Sequence, residues 1–421
     1  ATNNRSVLSL LCSIAKDLNF NIFENFFQKL ANYNNSNGLE RIIYRDQAIE
    51  EFVNCLQNLS LSNPVLIFLD TFEVIQDTDL YVWLIKVLTD LKGHIGVIIS
   101  GRQEVHLKGV HLLSISLPLF EFEDSKELAL QLFSSRGIDY DLTDSDLLTI
   151  NKSSKGRPIL ITLAIEWILE NASIEEIINV PQNKFEQEMV VYIRKLKDQT
   201  SLAVLLMALA YRRFNPHIFS LLSGYSLDLC KSICEELKKF SFIKSRQEDD
   251  TLFLHDEMLR LINDYIGLPE PFKSEKRRLL VNGFYNEKIS KAEDPLEKQM
   301  LIVEKVHYTL LENPNEAIKQ YDTIIQEAID VYDFNFCSFL LNDISQNHLS
   351  DIHRAIVGIT RAEMLIQEYR PVEAKGILDS LLNTIDEKIY PEYYCRMIEG
   401  LGACIINPCT IVGVSPFEAI E

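Results

Sequence analysis

Hydrophobic residues change their spacing along the chain, and each spacing predicts a different kind of element. Up to about residue 58, apolar residues recur every three to four positions, as in "SVLSLLCSIAKDL" (6–18) and "RDQAIEEFVNCLQNL" (45–59), which predicts amphipathic helices. Two short, uniformly apolar and β-branched runs follow, "VLIFLD" (65–70) and "IGVIISGR" (95–102). The amphipathic segment "DLYVWLIKVLTDLKG" (79–93) separates them. This order predicts two buried parallel strands joined by a crossover helix.

A third apolar run, "HLLSISL" (111–117), would extend the same sheet. After residue 118 the strand pattern gives way to helices. The segment "EDSKELALQLFSSRGI" (123–138) has an acidic first turn and a glycine where a helix should end. In "SSKGRPILITLAIEWILEN" (153–171), Pro158 comes just before an apolar helix, where its missing N–H is not needed. Between residues 201 and 267 we expect three helices followed by a hairpin in "FSFIKSRQEDDTLFLHD" (240–256), an order typical of a winged helix.

The last third of the chain is helical by pattern and carries a weak repeat. The segment "EKQMLIVEKVHYTLLENPNEAIKQYDTIIQEAI" (297–329) predicts a helix, an Asn-Pro turn and a second helix. The segment "IHRAIVGITRAEMLIQEYRPVEAKGILDSLL" (352–382) repeats that form, with Ala362 and Ala374 as small residues between the helices. The spacing is similar to that of a degenerate tetratricopeptide repeat, whose unit is about 34 residues.

Composition narrows the class of protein and of partner. The chain has 421 residues with 41 Lys and Arg against 61 Asp and Glu, a formal net charge of −20. Such an acidic chain repels phosphate backbones, and its longest basic cluster, "KSEKRRLL" (273–280), contains a glutamate and reads as a solvated helix face. No apolar run approaches the roughly 20 residues that cross a bilayer, and the start lacks a signal-peptide pattern. We expect a cytoplasmic protein that contacts neither membrane nor nucleic acid.

Two carboxylates follow the first predicted strand, and an arginine follows the second. Asp70 ends "VLIFLD", and Glu73 comes three residues later. The carboxyl end of a parallel strand is where open α/β sheets bind ligands, so Asp70 can hold Mg²⁺ there and Glu73 can polarise an attacking water. Arg102 ends "IGVIISGR" at the same sheet edge, where its guanidinium would face a triphosphate. Each residue taken alone also fits an ordinary polar strand end.

Five elements in order carry a resemblance to a known family. The succession "VLIFLDTFE", "GVIISGR", "LPLFEFEDSKELALQLF", "GRPILITLAI" and "LFLHDEMLRLI" resembles the STAND class of signal-transducing P-loop NTPases, the nucleotide-binding module of apoptosome proteins, plant disease-resistance proteins and many bacterial regulators. The resemblance covers about residues 1–270, and helical repeats follow in bacterial members. It implies an incomplete P-loop NTPase-like α/β parallel-sheet core followed by a helical domain, a winged helix and tetratricopeptide-like repeats, helix-dominated overall.

The resemblance also implies domain boundaries and partners. It places a partial nucleotide-binding domain at 1–117, a small helical domain at 118–195, a winged helix at 196–270 and helical repeats at 271–421. The expected cofactors are ATP or ADP with Mg²⁺. The expected partners are a protein or peptide ligand on the repeats and further copies of the activated protein.

Site residues follow from the same resemblance. Asp70 resembles the Walker B aspartate that manages Mg²⁺, Glu73 looks like the acidic residue that some bacterial members carry there, and Arg102 is similar to the sensor arginine that reads the γ-phosphate. Pro158 resembles the proline that packs on adenine, and His255 resembles the histidine that touches the β-phosphate of ADP in the resting state.

Three of these residues also have a purely structural interpretation. Pro158 fits a helix-start proline, and His255 with Asp256 fits a capping pair at the start of "DEMLRLI". Glu73 fits a surface charge.

One element of the family is missing from the sequence. The chain contains no G-x-x-x-x-G-K-[ST] motif, the loop whose backbone N–H groups and lysine hold the phosphates. Two explanations stay open: the chain is a truncated piece of a larger ATPase, or it is a member that has lost nucleotide binding. In either case we expect this polypeptide to bind ATP poorly and to hydrolyse it hardly at all.

Three functions are consistent with this pattern. The first is the core of a STAND-type ATP/ADP-dependent switch, in which ligand binding to the repeats controls oligomerisation and an effector. The second is a non-catalytic scaffold that uses the repeats to bind a protein. The third is a winged-helix transcription regulator, which is disfavoured because its recognition helix, "LDLCKSICEELKKF" (227–240), has three lysines and no arginine.

Overall fold

The computed structural model describes residues 7–36, 38–69, 87, 91–101, 113–139, 141–246, 251–368, 370–382 and 384–406. The chain divides into two compact units. The first contains Ala1–Ser114 and Lys288–Glu421, and the second contains Ile115–Glu287.

The first unit begins with three helices and a pair of strands: α1 (Val7–Leu18), α2 (Glu24–Asn35), α3 (Leu39–Ser62), β1 (Val65–Leu69) and β2 (Ile95–Ile99), with a 3₁₀ turn at Phe20–Phe23. The aromatic residues Phe23, Phe26 and Phe52 are buried between the helices. The strands pair in parallel from Val65 opposite Ile95 to Leu69 opposite Ile99, as the sequence predicts. The crossover helix falls mostly outside the described residues.

The sheet differs from the prediction in two respects. Val65 and Ile67 of β1 are buried against the helices, whereas Leu66 and Phe68 on the other face are 53% and 67% exposed. The uniformly apolar run predicts a strand covered on both faces, and described residues cover only one. The predicted third strand is wrong for its described part, 113–117, which forms no strand and leaves its apolar side chains exposed.

The remainder of the first unit is helical: α15 (Pro295–Glu312), α16 (Pro314–Asp330), α17 (Phe334–Ser345), α18 (Asp351–Gln367), α19 (Pro371–Leu381) and α20 (Pro391–Ile406). These helices pack in two layers, because α16, α18 and α20 contact one another in sequence while α15 lies against α16 and α17. Ala362 and Ala374 are fully buried, as expected of small residues between helices. The helical-repeat prediction is confirmed at the level of the fold.

The second unit contains helices and one antiparallel strand pair: α4 (Phe122–Arg136), α5 (Asp144–Ser154), α6 (Pro158–Leu169), α7 (Ile174–Ile178), α8 (Phe185–Val191), α9 (Asp198–Leu209), α10 (Pro216–Ser223), α11 (Leu227–Leu237), β3 (Ile243–Ser245), β4 (Leu252–Leu254), α12 (Asp256–Tyr265), α13 (Glu270–Leu279) and the start of α14 (Asn286–Lys291). Short 3₁₀ turns lie at Gln182–Lys184 and Tyr192–Lys195, and a π-helical turn at Leu280–Tyr285.

Local sequence signals explain several of these boundaries. Gly137 ends α4 in the left-handed conformation, and Pro158 occupies the first position of α6. Three helices, α9 to α11, precede β3, which pairs antiparallel with β4 from Ile243 opposite Leu254. The predicted helices and hairpin are therefore present. The winged-helix assignment and the division into four domains stay predictions.

Candidate functional site

The two parallel strands end together, at the sheet edge where the sequence places its first candidate residues. Leu69 and Ile99 are paired, and the Ser100 amide donates to the Leu69 carbonyl at 2.9 Å. Asp70, Glu73 and Arg102 lie outside the described residues. Their assignment to Mg²⁺, to the attacking water and to the γ-phosphate therefore stays a prediction.

The turn before α6 has a conformation that only a glycine fits. Lys155 and Gly156 both adopt left-handed φ values, 56° and 68°. A Cβ at Gly156 would lie 2.4 Å from the Phe120 carbonyl oxygen, and the Phe120 amide donates to the Gly156 carbonyl at 2.8 Å. Arg157 is the residue just before the helix, and Pro158, which is exposed, occupies its first position. This backbone fixes where Arg157 and Pro158 lie.

The turn before α12 is built around His255. The His255 amide donates to the Phe242 carbonyl at 3.0 Å, which ties the turn to the hairpin. His255 Nδ1 accepts from the Glu257 amide at 3.3 Å, so this side chain caps α12. A neutral ring whose Nδ1 accepts carries its proton on Nε2. His255 and Asp256 are both exposed; His255 provides the cap expected from the sequence, and Asp256 lies in the first turn of α12.

Ion pairs hold these two turns together. Arg157 Nη2 donates to Glu257 Oε1 at 2.5 Å, across 100 residues of sequence, and Arg157 Nη1 bonds Glu186 of α8. Arg260 of α12 donates to Glu257 at 2.9 Å and lies 3.4 Å from Glu186. The Tyr265 hydroxyl donates to Glu186 at 3.0 Å. We call Arg157, Glu186, Glu257 and Arg260 the clasp.

The clasp lowers the pKa values of both its carboxyl groups. Hydrogen bonding from Arg260 is the main reason why the pKa of Glu257 falls to about 2, with Arg157 adding to it against the opposing effect of burial. Burial alone would raise the pKa of Glu186, but hydrogen bonds from Arg157 and Tyr265 and the two guanidinium charges bring it below its usual value. Both carboxylates are therefore charged at neutral pH.

A second anchor lies on the C-terminal half of α6. Glu166 is 1% exposed, and its carboxylate accepts from Arg136 Nη2 at 2.6 Å and from the amide and hydroxyl of Ser241 at 2.9 and 2.8 Å. Ser241 lies just before β3, and the Arg136 guanidinium carbon is 5.3 Å from the ring centre of Phe240. Helix α6 is thus bonded at both ends to the segment that contains the hairpin and α12.

Sequence reasoning found the two turns but missed the residues that join them. Arg157 is the middle residue of the "GRP" motif, and Glu257 follows His255 by two positions. The spacing of Glu257 and Arg260 predicts an intrahelical pair, which the structure has. Nothing in the local sequence indicates that Arg157 pairs across 100 residues. The roles of Pro158 and His255 toward a nucleotide stay predictions.

Among the described residues, no helix is long and apolar enough to cross a membrane. Within the same ranges, no three His, Cys, Asp or Glu side chains are grouped as a metal site requires. The Mg²⁺ prediction therefore depends on Asp70, outside these ranges.

Comparison with known proteins is informative about the fold. No protein-family model matches the chain, and no curated protein matches it. Among solved structures, a STAND protein with a tetratricopeptide repeat sensor from Pyrococcus horikoshii superposes with a TM-score of 0.52 at 14% identity. The alignment covers 95% of this chain and 53% of that one, so the chain spans about half the length of that protein. At this identity the likeness shows a shared fold alone, a helix-dominated STAND-like arrangement with helical repeats.

Proposed function

We propose that the chain is the core of a nucleotide-dependent signalling switch of the STAND type. The observation that carries the proposal is the clasp, because Arg157 and Glu257 tie the "GRP" turn to the "LHD" turn. These are the two turns in which Pro158 and His255 resemble nucleotide-binding residues. The fold shared with a STAND protein that has a repeat sensor supports the same function.

In this proposal each turn supplies one contact to ADP. Pro158 is exposed at the start of α6 and can pack on the adenine ring. His255 carries its proton on Nε2 when Nδ1 accepts from Glu257, so Nε2 can donate to a phosphate oxygen. The clasp ties the two turns to each other, and in this proposal one ligand contacts both.

The nucleotide chemistry is assigned to residues at the sheet edge. Asp70 would hold Mg²⁺, Arg102 would contact the γ-phosphate and Glu73 would orient the attacking water. Bound Mg²⁺-ATP would supply the phosphoryl group that is cleaved. The loop that holds the phosphates is not in this chain, so the activity is proposed for a protein that carries it, in the cytoplasm of a bacterial cell.

The switch would work through a competition between two ligands. ADP held between the two turns favours a closed state, and a protein or peptide on the repeats favours an open state that exchanges ADP for ATP and oligomerises. Because both ligands bias one equilibrium, each must weaken the binding of the other by the same factor. The Glu166 anchor is buried and the clasp is half-buried, so opening would begin at the clasp end of α6.

The test is to express the complete reading frame that contains this chain and to identify nucleotide that copurifies. The proposal expects a Gly-Lys-Ser or Gly-Lys-Thr loop upstream of the first strand and bound ADP. A complete protein that lacks the loop and retains no nucleotide would contradict the proposal.

The second candidate is a non-catalytic scaffold, and the absent G-x-x-x-x-G-K-[ST] motif favours it. In that case the two turns and the clasp serve stability only. Replacing His255 or Pro158 would then leave every ligand-binding property unchanged, while repeat-surface variants would abolish partner binding.

A further inference from the structure

Asp333 joins parts of the first unit that lie about 300 residues apart in sequence. It is 4% exposed, in the turn between α16 and α17. Its Oδ1 accepts from the Tyr33 hydroxyl and from the Phe336 amide at 3.2 Å, and its Oδ2 accepts from Arg41 Nη2 at 2.7 Å and Gln299 Nε2 at 2.8 Å. Two donors belong to helices α2 and α3, and two belong to the repeats. One buried carboxylate is therefore shared by both segments.

The backbone that presents Asp333 is strained. Tyr332 has a φ of 60°, in a region that bulky side chains rarely adopt. Its amide donates to the Ile329 carbonyl at 3.0 Å and the Asp333 amide donates to the Ala328 carbonyl at 2.8 Å, the bonding of a helix end where glycine is usual. The Tyr332 ring packs edge-on against Phe334 at 5.7 Å. Strain of this kind persists only where the surrounding packing holds it, and it concentrates at functional positions.

Apolar and polar contacts surround the shared carboxylate. Ile42 of α3 packs into the core of the repeats, and Leu296 of α15 packs into the core of the N-terminal helices. The Leu8 amide donates to Asn335 Oδ1 at 3.4 Å, and Arg45 Nη1 lies 3.4 Å from Glu368 Oε1. The N-terminal helices and the repeats thus form one interface with Asp333 inside it.

The chemistry of this interface favours two states over a gradual loosening. If α2 and α3 move away, Asp333 keeps Gln299 and the Phe336 amide, while Tyr33 and Arg41 are released together. Burial is the main reason why the pKa of Tyr33 is raised well above its ordinary value, and the Asp333 charge raises it further, so the hydroxyl stays protonated and donates. A partial opening that keeps Asp333 dry but removes Arg41 would leave a buried charge without its ion pair, which is strongly unfavourable.

We propose that the Asp333 turn is a latch by which the helical repeats hold helices α2 and α3, and that a protein bound to the repeats releases these helices by opening it. The turn links two repeat helices, so a change in their packing reaches Asp333 directly. The latch itself is independent of nucleotide. Its regulatory role rests on the function proposed above.

Hydrogen exchange of the whole chain tests the latch. Asp333→Asn keeps the size of the side chain and an oxygen for the Phe336 amide, but removes the charge that holds Arg41. We expect amides of α2 and α3 to exchange about tenfold faster or more, while α9 to α11 in the second unit do not change. Asp330→Asn is the matched control, because Asp330 is exposed on the same helix α16.

Substituting Arg41, the ion-pair partner of Asp333, distinguishes the loss of the latch from a general folding defect. Arg41→Gln should accelerate exchange in the same α2 and α3 amides, and the double variant should be little faster than either single variant, since both remove one interaction. Unchanged exchange in α2 and α3, or fully additive effects, would overturn the latch.

ADP release from the complete protein tests the regulatory role separately. Asp333→Asn should release ADP several-fold faster than Asp330→Asn. Faster exchange in α2 and α3 with unchanged ADP release would overturn the regulatory role and leave the latch standing. A wild-type protein that never holds ADP would overturn the proposed switch function, while the exchange result would still decide the latch.

Discussion

Replacing Arg157 with glutamine should open the clasp without unfolding the second unit. The glutamine would keep a polar side chain but lose both the charge and the two-armed contact to Glu186 and Glu257. The three side chains of the native contact are 21–29% exposed, so each lost pair costs about 0.5–1 kcal/mol, in the range of partly solvated ion pairs. The two pairs together give about 1–2 kcal/mol, which is roughly a 5- to 30-fold increase in local opening.

Substituting the buried anchor residue Glu166 should cost more stability than substituting Arg157. Glu166 is 1% exposed and accepts hydrogen bonds from Arg136 and Ser241. In Glu166→Gln these donors would face either an N–H₂ group, which cannot accept, or an uncharged amide oxygen, which accepts more weakly. Hydrogen bonds to buried charged groups are worth more, so we expect a loss of about 2–4 kcal/mol. The structure therefore predicts that Glu166→Gln destabilises α6 more than Arg157→Gln does.

Hydrogen exchange followed by mass spectrometry measures both effects on the same peptides, those of α6 and α12. Lys152→Gln is the control, because Lys152 is exposed on the neighbouring helix α5 and loses the same charge. Arg157→Gln should accelerate the first turns of α6 and α12, and Glu166→Gln should accelerate all of α6. If Arg157→Gln behaved like Lys152→Gln, or exceeded Glu166→Gln, the ranking of clasp and anchor would be refuted.

Three further predictions follow from the same contacts. The pKa of Glu257 is about 2 in the folded protein and about 4.3 ordinarily, so its contribution to stability is complete above pH 5 and is lost as the pH falls toward 2. The difference in urea midpoint between wild type and Glu257→Gln, measured by Trp167 fluorescence in a Trp83→Phe background, should therefore be largest at pH 6 and clearly smaller at pH 3. A difference that stayed constant with pH would contradict the assigned pairing. Gly156→Ala should lower the free energy of unfolding by about 2 kcal/mol or more, because its Cβ would meet the Phe120 carbonyl at a left-handed φ. Gly376→Ala, in open space on α19, should instead raise it by about 0.5–1 kcal/mol. Shifts in melting temperature of the same sign for both variants would count against this geometry. Arg396 donates to Glu363 and Asp322 at 2.7–3.0 Å and so joins three helices. Arg396→Met should therefore lower the free energy of unfolding of the repeats, measured in urea, by about 2–4 kcal/mol. Adding Asp322→Asn and Glu363→Gln should recover part of this loss, which a purely steric role of Arg396 would not give.

Local pattern was sufficient for most elements of the fold. The three-to-four spacing of apolar residues predicted α1 and α3, and Pro158 marked the first turn of α6 because proline at that position loses no hydrogen bond. The parallel pairing of β1 and β2 followed from two short β-branched runs with room between them for a crossover.

Contacts between distant segments could not be predicted in the same way. Arg157 and Glu257 are 100 residues apart, and Arg41 and Asp333 are 292 apart. A charged residue on a helix surface has the same local pattern whether its partner is solvent or a distant carboxylate, so sequence alone left all four unassigned. The expected third strand is not formed in its described part, 113–117, because a short apolar run indicates β-propensity but does not specify a pairing partner.

The central claim is that ADP is held between the turns of Pro158 and His255, and the rate of ADP release tests it most directly. The complete protein would be loaded with fluorescent ADP and chased with unlabelled nucleotide, for wild type, His255→Ala and Lys152→Gln. Losing a hydrogen bond to a charged phosphate costs about 1.5–3 kcal/mol, so His255→Ala should release ADP roughly 10- to 150-fold faster. It should also raise the effector activity of the protein in the absence of its ligand. Lys152→Gln should release ADP at the wild-type rate. If His255→Ala held ADP as long as the wild type, the claim that ADP is held between these two turns would be refuted.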